Sequence, residues 1–184
     1  MEQYRCAWAG SDPLYIAYHD NEWGKPLHDD QKLFEFLILE GMQAGLSWIT
    51  ILKKRDAFRE AFDNFDPAKV ARFDRKKIDE LMQNPAIIRN RRKICAAVKN
   101  AEHYLEIQSK FGSFDKFIWS YVGNEPIINH PKTIADIPPT SELSDRISRD
   151  LKNLGFSFVG STIVYSFMQA IGMINDHVDG CEFK

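Results

Sequence analysis

The sequence predicts an all-α fold. Three observations carry that expectation. Apolar residues recur at helical spacing through most of the chain, cap residues open those patterns and glycines close several of them, and strand signals are few, Ile127-Ile128 being the best short candidate.

Asp29 or Asp30 caps a helix through the apolar stretch Leu33 to Leu39, ending near Gly41. Ser47 caps a second running to Phe62. Asp66 before Pro67 is an N-cap with proline at the first helical position, and Asp74 opens another short helix. From Ile87 to Phe111 the residues Ile88, Ile94 or Cys95, Val98, Ala101 and Leu105 keep helical spacing, with Gly112 as the stop. Ser113 opens a helix through Phe117, Ile118 and Tyr121. Pro126, Pro131, Pro138 and Pro139 make Gly123 to Thr140 an irregular 18-residue connection. Helix resumes from about Ser141 to Leu154, breaks at Gly155 to Gly160, and continues from Ser161 to Met173, with Ser161-Thr162 as its cap.

A chain of 184 residues can bury a core as one domain, and 44% hydrophobic with 27% charged residues argues against disorder. No apolar run approaches the roughly 18 residues of a membrane span. The first residues lack the apolar region of a secretory signal, so the cytoplasm is the expected compartment. The net charge of −2 excludes only a uniformly basic surface. Basic residues gather at Lys53-Lys54-Arg55, at Arg72 to Lys77, and at Arg89, Arg91, Arg92 and Lys93. The last group opens a helix, where cations oppose the dipole; a solvated face or an external anion accounts for it.

Cys6 and His19 stand near the start, and His177 and Cys181 form His-x-x-x-Cys at the end. Two thiolates and two imidazoles complete a closed tetrahedral zinc site, which would staple the two termini. The spacing fits no standard finger, and taken alone it reads as two unrelated cysteines and two ordinary histidines rather than as a metal site. Cys95 is expected to be a small core residue.

Trp8, Trp23, Trp48, Tyr4, Tyr15 and Tyr18 crowd the first 48 residues. Such aromatics are core, or they line a pocket for a flat ligand. Glu40 bears on that choice. Helical spacing sets Leu33, Leu37, Glu40 and Ala44 on one stripe, and a carboxylate there is costly unless paired. Either Glu40 reaches water at the helix end, or burial raises its pKa at a site of function. Gly155-Phe156-Ser157-Phe158-Val159-Gly160, entering a helix at Ser161, exposes backbone amides as a phosphate-binding turn does, although any short helix–helix turn shares that look.

These stretches together resemble a family. Cys6-Ala-Trp8, Asp12 to Gly24, Leu39-Glu40-Gly41-Met-Gln43-Ala-Gly45-Leu-Ser-Trp48-Ile-Thr50, Ile87-Ile-Arg89-Asn-Arg91, Gly155 to Thr162, Tyr165 to Gln169 and Asn175 to Cys181 are similar to the 3-methyladenine DNA glycosylase I family of the helix-hairpin-helix superfamily. The resemblance spans essentially the whole chain. Its departures, Met42 and Ala7, remove no motif residue.

The resemblance implies an all-α helix-hairpin-helix DNA glycosylase fold, one catalytic unit over residues 1–184. A zinc site joins terminal segments 1–28 and 174–184, and residues 141–173 form the helix-hairpin-helix element. It implies one structural Zn2+ on Cys6, His19, His177 and Cys181. It implies hydrolysis of the N-glycosidic bond of alkylated purines, chiefly 3-methyladenine, in base excision repair, with the base flipped out of double-stranded DNA. Glu40 matches the family's pocket carboxylate and is the expected catalytic residue; Tyr18 and Trp48 match base-contacting aromatics, with Trp8, Tyr15 and Trp23 nearby. Gly155, Phe158, Gly160, Ser161 and Thr162 are expected on DNA. Leu46, apolar in a glycine-flanked turn, is the candidate wedge. No lysine stands where a Schiff-base lyase needs one, so a monofunctional hydrolase is expected; 3-methyladenine is the expected product, the chain is expected to be a monomer, and no membrane partner is expected. Neither Asp176 nor Asp179 is assigned as a base.

Overall fold

The most apolar segment becomes the central helix. In the computed structural model, which describes residues 4–184, α2 (Asp30–Gln43) starts where the Asp29 carboxylate accepts the Lys32 amide at 2.9 Å. Leu33, Phe34, Leu37, Ile38, Leu39 and Met42 are all buried, as a helix packed on every side requires. Around it stand α3 (Trp48–Ala61), α6 (Arg91–Phe111), α7 (Phe114–Trp119) and α9 (Ser161–Ala170). Two short helices, α4 (Pro67–Val70) and α5 (Arg75–Leu81), pack on α6, and α8 (Glu142–Asn153) pairs with α9.

The expected caps at Asp29, Asp66, Asp74, Ser113 and Ser141 are all in place, and Gly112 closes α6 in the left-handed region. Several boundaries differ from expectation. The α6 pattern starts at Arg91 rather than Ile87, because the Asn90 side chain takes the Lys93 amide and caps there; Ile87 is buried from the preceding loop. The last helix ends at Ala170, not Met173. Gly160 holds its cap position, and Ser161 is its first residue, with its hydroxyl 2.7 Å from that of Ser144 rather than on an amide. Ser47 does hold the expected cap position of α3, although its hydroxyl pairs with that of Thr50 rather than with an amide. Cys95 is half-buried rather than a core residue.

Two elements escape the periodicity argument. One is α1 (Pro13–Asn21), whose sides are mixed, so no apolar stripe marks it. Its start is nevertheless written in Asp12-Pro13, the same pairing as Asp66-Pro67, with the Asp12 carboxylate accepting the Leu14 amide at 3.0 Å. The other is β2 (Ile174–Asn175), parallel to β1 (Ile127–Ile128) with Ile127 opposite Ile174. This pair ties the proline-rich connection to the C-terminal segment, and the Asp179 amide adds a bond to the Pro131 carbonyl at 2.8 Å.

The N- and C-terminal ends of the described residues, 4–184, lie against one another. The Glu182 amide donates to the Tyr4 carbonyl at 3.1 Å. Between α8 and α9 the turn is fixed by side chains. Asn100 of α6 both accepts the Ser157 amide and donates to the Ser157 carbonyl, each at 2.9 Å, and the Ser148 hydroxyl donates to the Val159 carbonyl at 2.7 Å.

Candidate active site and metal centre

The helix α2 carries two buried carboxylates five residues apart, and they have opposite fates. Glu35 is 6% exposed and is held by the Arg59 guanidinium at 2.7 Å. Glu40 is 3% exposed, and its Oε2 has no hydrogen-bond partner. The helix runs on to Gln43, so Glu40 does not reach water at a helix end. Burial alone pushes its pKa up to about 8. A buried carboxyl left unpaired costs stability, and such a cost is retained where the group serves a ligand.

Glu40 lies in a cavity of about 270 Å³ lined by Trp8, Tyr15, Tyr18, Trp23 and Trp48, with Gln43, Ile134, Ile137, Ser166 and Gln169 completing the wall. All five expected aromatics therefore converge. Tyr18 lies 5.5 Å from Trp48, and Trp8 lies 5.0 Å from Tyr15 and 4.8 Å from Trp23, ring centre to ring centre. Trp48 Nε1 is a second buried polar atom without a partner. The cavity thus offers aromatic faces, one unpaired carboxyl and one unpaired N–H, a composition suited to a flat, electron-poor ligand with hydrogens to give. Sequence reasoning did not find Ser166 and Gln169, which follow from the way α9 crosses α2, nor Ile134 and Ile137 on the proline-rich connection.

The turn from α2 to α3 is short. Ala44 at φ −43° and ψ 111°, then Gly45 at φ +85°, with the Leu46 amide bonded to the Gln43 carbonyl at 2.6 Å, make a type II turn that needs glycine at its third position. The turn leaves Leu46 41% exposed, in the loop between the helix of Glu40 and that of Trp48.

Behind the aromatic wall sits the second cluster. Cys6, His19, His177 and Cys181 are all buried, and their donor atoms lie within 4.8 Å of one another, an arrangement able to hold a metal ion. The Sγ of Cys6 is 3.6 Å from His177 Nδ1, and that of Cys181 is 3.3 Å from His177 Nδ1 and 3.6 Å from His19 Nε2. Each imidazole uses its other nitrogen on a fixed acceptor. His19 Nδ1 meets Asp20 at 2.7 Å, and His177 Nε2 meets the Trp23 carbonyl at 3.1 Å. Asp20 is held in turn by Arg5 at 2.8 Å. Such outer partners orient ligating imidazoles. Burial pushes the His177 pKa down to about 4, which keeps that ring neutral and able to ligate. The cluster also buttresses the cavity, since Trp8 packs 5.1 Å from the His19 ring and Trp23 4.6 Å from the His177 ring.

The basic groups divide. Lys93 is buried, Arg91 pairs with Asp79, and Arg55 pairs with Glu22 at 2.7 Å. Arg89 and Arg92 remain exposed. In the hairpin, Phe158 sits at φ +57°, and Gly160 caps α9 with no side-chain bond to the first amides of the helix.

Comparison with known proteins bears on this geometry. The sequence pattern of the methyladenine glycosylase family matches residues 8–184. DNA-3-methyladenine glycosylase 1 of Escherichia coli K12 is 52% identical over 177 residues, covering 96% of this chain and 95% of that protein. DNA-3-methyladenine glycosylase of Haemophilus influenzae is 49% identical over 180 residues, covering 98% and 97%. The solved structure of 3-methyladenine DNA glycosylase I from Staphylococcus aureus, described for its recognition of 3-methyladenine, superposes with a TM-score of 0.95 at 43% identity, covering 98% of this chain and 96% of that one.

Proposed function

This chain belongs to the methyladenine glycosylase family, and we propose that it hydrolyses the N-glycosidic bond of 3-methyladenine in double-stranded DNA, with Glu40 meeting the excised base. One observation carries the reading of the site: Glu40 is buried, unpaired and set in an aromatic cavity, while its helix neighbour Glu35 has an arginine.

The chemistry follows from the substrate. A 3-methylated adenine is cationic while attached to the sugar. The bond from C1′ to the ring nitrogen breaks, the bonding electrons neutralise the departing base, and water adds to C1′ with loss of a proton. The leaving group needs little acid assistance. The site need only extract the base from the stack, exclude water and favour positive charge. Trp8, Tyr15, Tyr18, Trp23 and Trp48 attract the cation through their ring faces, by about 0.5–2 kcal/mol per good contact. Glu40 accepts hydrogens from the base and stabilises its charge; as the carboxylate it is costly in the empty cavity and complementary in the filled one. No lysine lines the cavity to form an imine, which supports a monofunctional hydrolase.

Leu46 fills the gap left by the flipped nucleotide. The amides of the first turn of α9, in the region of Phe158, Gly160, Ser161 and Thr162, hold a DNA phosphate; the Gly155 and Ser157 amides are already taken by the Lys152 carbonyl and by Asn100. The metal is zinc, one per chain and structural. Zinc about 2.3 Å from sulfur and about 2.0 Å from nitrogen in a tetrahedron spaces its donors roughly 3.5 Å apart, and Cys2His2 is a closed set with no place for substrate. The observed 3.3 to 3.6 Å spacings fit that ion. The chain acts as a monomer in the cytoplasm, and no helix among the described residues is long and apolar enough to cross a membrane.

Incubation with methylated duplex DNA and chromatography of the released bases tests the proposal. Free 3-methyladenine is the expected product. Tight binding of the DNA with every base left in place, at an excess of protein, would turn the reading toward a damage sensor.

A further inference from the structure

Gln169 of α9 is one of the polar groups on the cavity wall, and its orientation is imposed by a buried carboxylate behind it. Its Nε2 donates to Asp176 at 2.7 Å. Asp176 is 1% exposed and takes two further bonds, from the Tyr165 hydroxyl at 2.8 Å and from Asn129 Nδ2 at 2.7 Å. A carboxylate has acceptors only, so it dictates which end of each neighbouring amide turns toward it. With Nε2 committed to Asp176, the amide oxygen Oε1 is the polar end that Gln169 has left for the cavity, and among the described residues no donor takes it.

The polar inventory of the wall then becomes specific. Glu40 Oε2 is an unpaired acceptor and Trp48 Nε1 an unpaired donor, and the Gln169 oxygen joins them alongside Gln43, Ser166 and the two tyrosines of the wall. Resting on the 3-methyladenine reading above, we infer that Gln169 is a specificity-determining residue whose Oε1 accepts a hydrogen of the exocyclic amine of the base, and that Asp176 is the positioning residue that holds this oxygen in place. An amine has two hydrogens to give. A purine with a carbonyl oxygen at that ring position, such as 3-methylguanine, sets acceptor against acceptor and leaves both unpaired, which is how a polar site rejects an analogue more strongly than shape alone does.

The experiment measures release of 3-methyladenine and of 3-methylguanine from one methylated DNA, as separate initial rates. Gln169→Met keeps the length of the side chain and removes its polar atoms. It should slow 3-methyladenine release roughly tenfold, the size of one neutral hydrogen bond, and should not slow 3-methylguanine release, because one of the two opposed acceptors is gone. Asp176→Asn can donate as well as accept, so the Gln169 amide is free to turn over. The same preference should fall, and no further fall should follow when Asp176→Asn is added to Gln169→Met. An unchanged preference in Gln169→Met overturns the inference, and that arm decides even where Asp176→Asn does not fold. An Asp176→Asn effect that slows both bases equally, or that adds in full to Gln169→Met, overturns the positioning role. Absence of 3-methyladenine from reactions of the unaltered protein overturns the functional reading beneath it, which separates the two failures.

Discussion

The ammonium of Lys93 lies 2.7 Å from the carbonyl oxygen of Ala44. It also takes the Met42 carbonyl at 2.8 Å, so a residue from the first turn of α6 caps the C-terminal end of α2. Those carbonyls have no partner within their own helix, and a cation suits the negative end of its dipole. Lys93 is 8% exposed, and burial lowers its pKa. It pins the turn that separates Glu40 from Leu46. Lys93→Met keeps the aliphatic stem and deletes the donor, leaving two carbonyls short of bonds. We expect about 2 kcal/mol less stability by urea denaturation, with faster amide exchange around the turn. A loss within about 0.5 kcal/mol would show that water satisfies those carbonyls unaided.

Leu46 is 41% exposed although it is a large apolar residue, in the short turn between α2 and α3. Gly45 at φ +85° fixes the turn that presents it. Leu46→Ala therefore costs the free protein little, below about 0.5 kcal/mol, as surface substitutions do. Its effect should appear only when a duplex is distorted. Excision from double-stranded DNA is expected to fall about tenfold or more, while affinity for free 3-methyladenine stays unchanged. A matching loss of affinity for the free base would place Leu46 in the pocket instead.

Gly155 has φ +95°, and a side chain there would meet the His103 ring at 2.5 Å. Both the left-handed backbone and the close approach call for glycine. Gly155→Ala is expected to cost about 2 kcal/mol or more and to loosen the hairpin. Removing the ring with His103→Ala should recover only part of that loss, because the backbone strain persists. Full recovery would assign the whole effect to the His103 contact. Measured by denaturation, the two variants and their combination separate the causes.

The Cys2His2 cluster and the cavity share a wall, since Trp8 and Trp23 each pack on one of its imidazoles. Asp20 orients His19 and is itself held by Arg5. Asp20→Asn should weaken zinc retention about 10- to 100-fold in competition with a chelator, the usual effect of losing an outer partner. Stripping the metal should release the two terminal segments and raise the KM for excision, because the two tryptophans lose their backing. Zinc analysis giving no ion in a fully folded, active chain would refute the staple.

These relationships show what the sequence carries and what it leaves out. Capping is local chemistry, so Asp29, Asp66, Asp74 and Gly112 marked their helix ends correctly. Asp12-Pro13 carried the same mark, but α1 buries one end against the metal ligands and not a continuous stripe, so periodicity missed it. The stretch from Ile87 had helical spacing without being helix, because apolar residues of a buried loop can keep that spacing by accident. The aromatic residues and Glu40 were legible because a carboxyl amid apolar neighbours is anomalous by itself. Gln169 was not, since a glutamine on a helix is unremarkable until the fold sets it on a cavity with Asp176 behind it.

Glu40 makes the most direct physical prediction. In the unfolded chain its carboxyl ionises near 4.5, whereas in the folded chain burial holds the proton up to about 8. Between those values the native state carries a proton that the unfolded state has lost, so stability falls with rising pH. This contribution is fully present below about 4.5 and is lost as the pH passes through about 8. Each pKa unit is worth about 1.36 kcal/mol, so raising the pH from about 6 to about 8 should remove about 2 kcal/mol. Glu40→Gln has no proton to lose, and its stability should lack that slope. Urea midpoints of zinc-loaded wild type and variant, taken at both pH values, test this directly. Parallel profiles would mean that the carboxyl ionises in the native cavity as easily as in water. The same substitution should nearly abolish release of 3-methyladenine. A variant more stable at high pH yet inactive is the expected signature of a buried acid kept for its ligand at the expense of the fold.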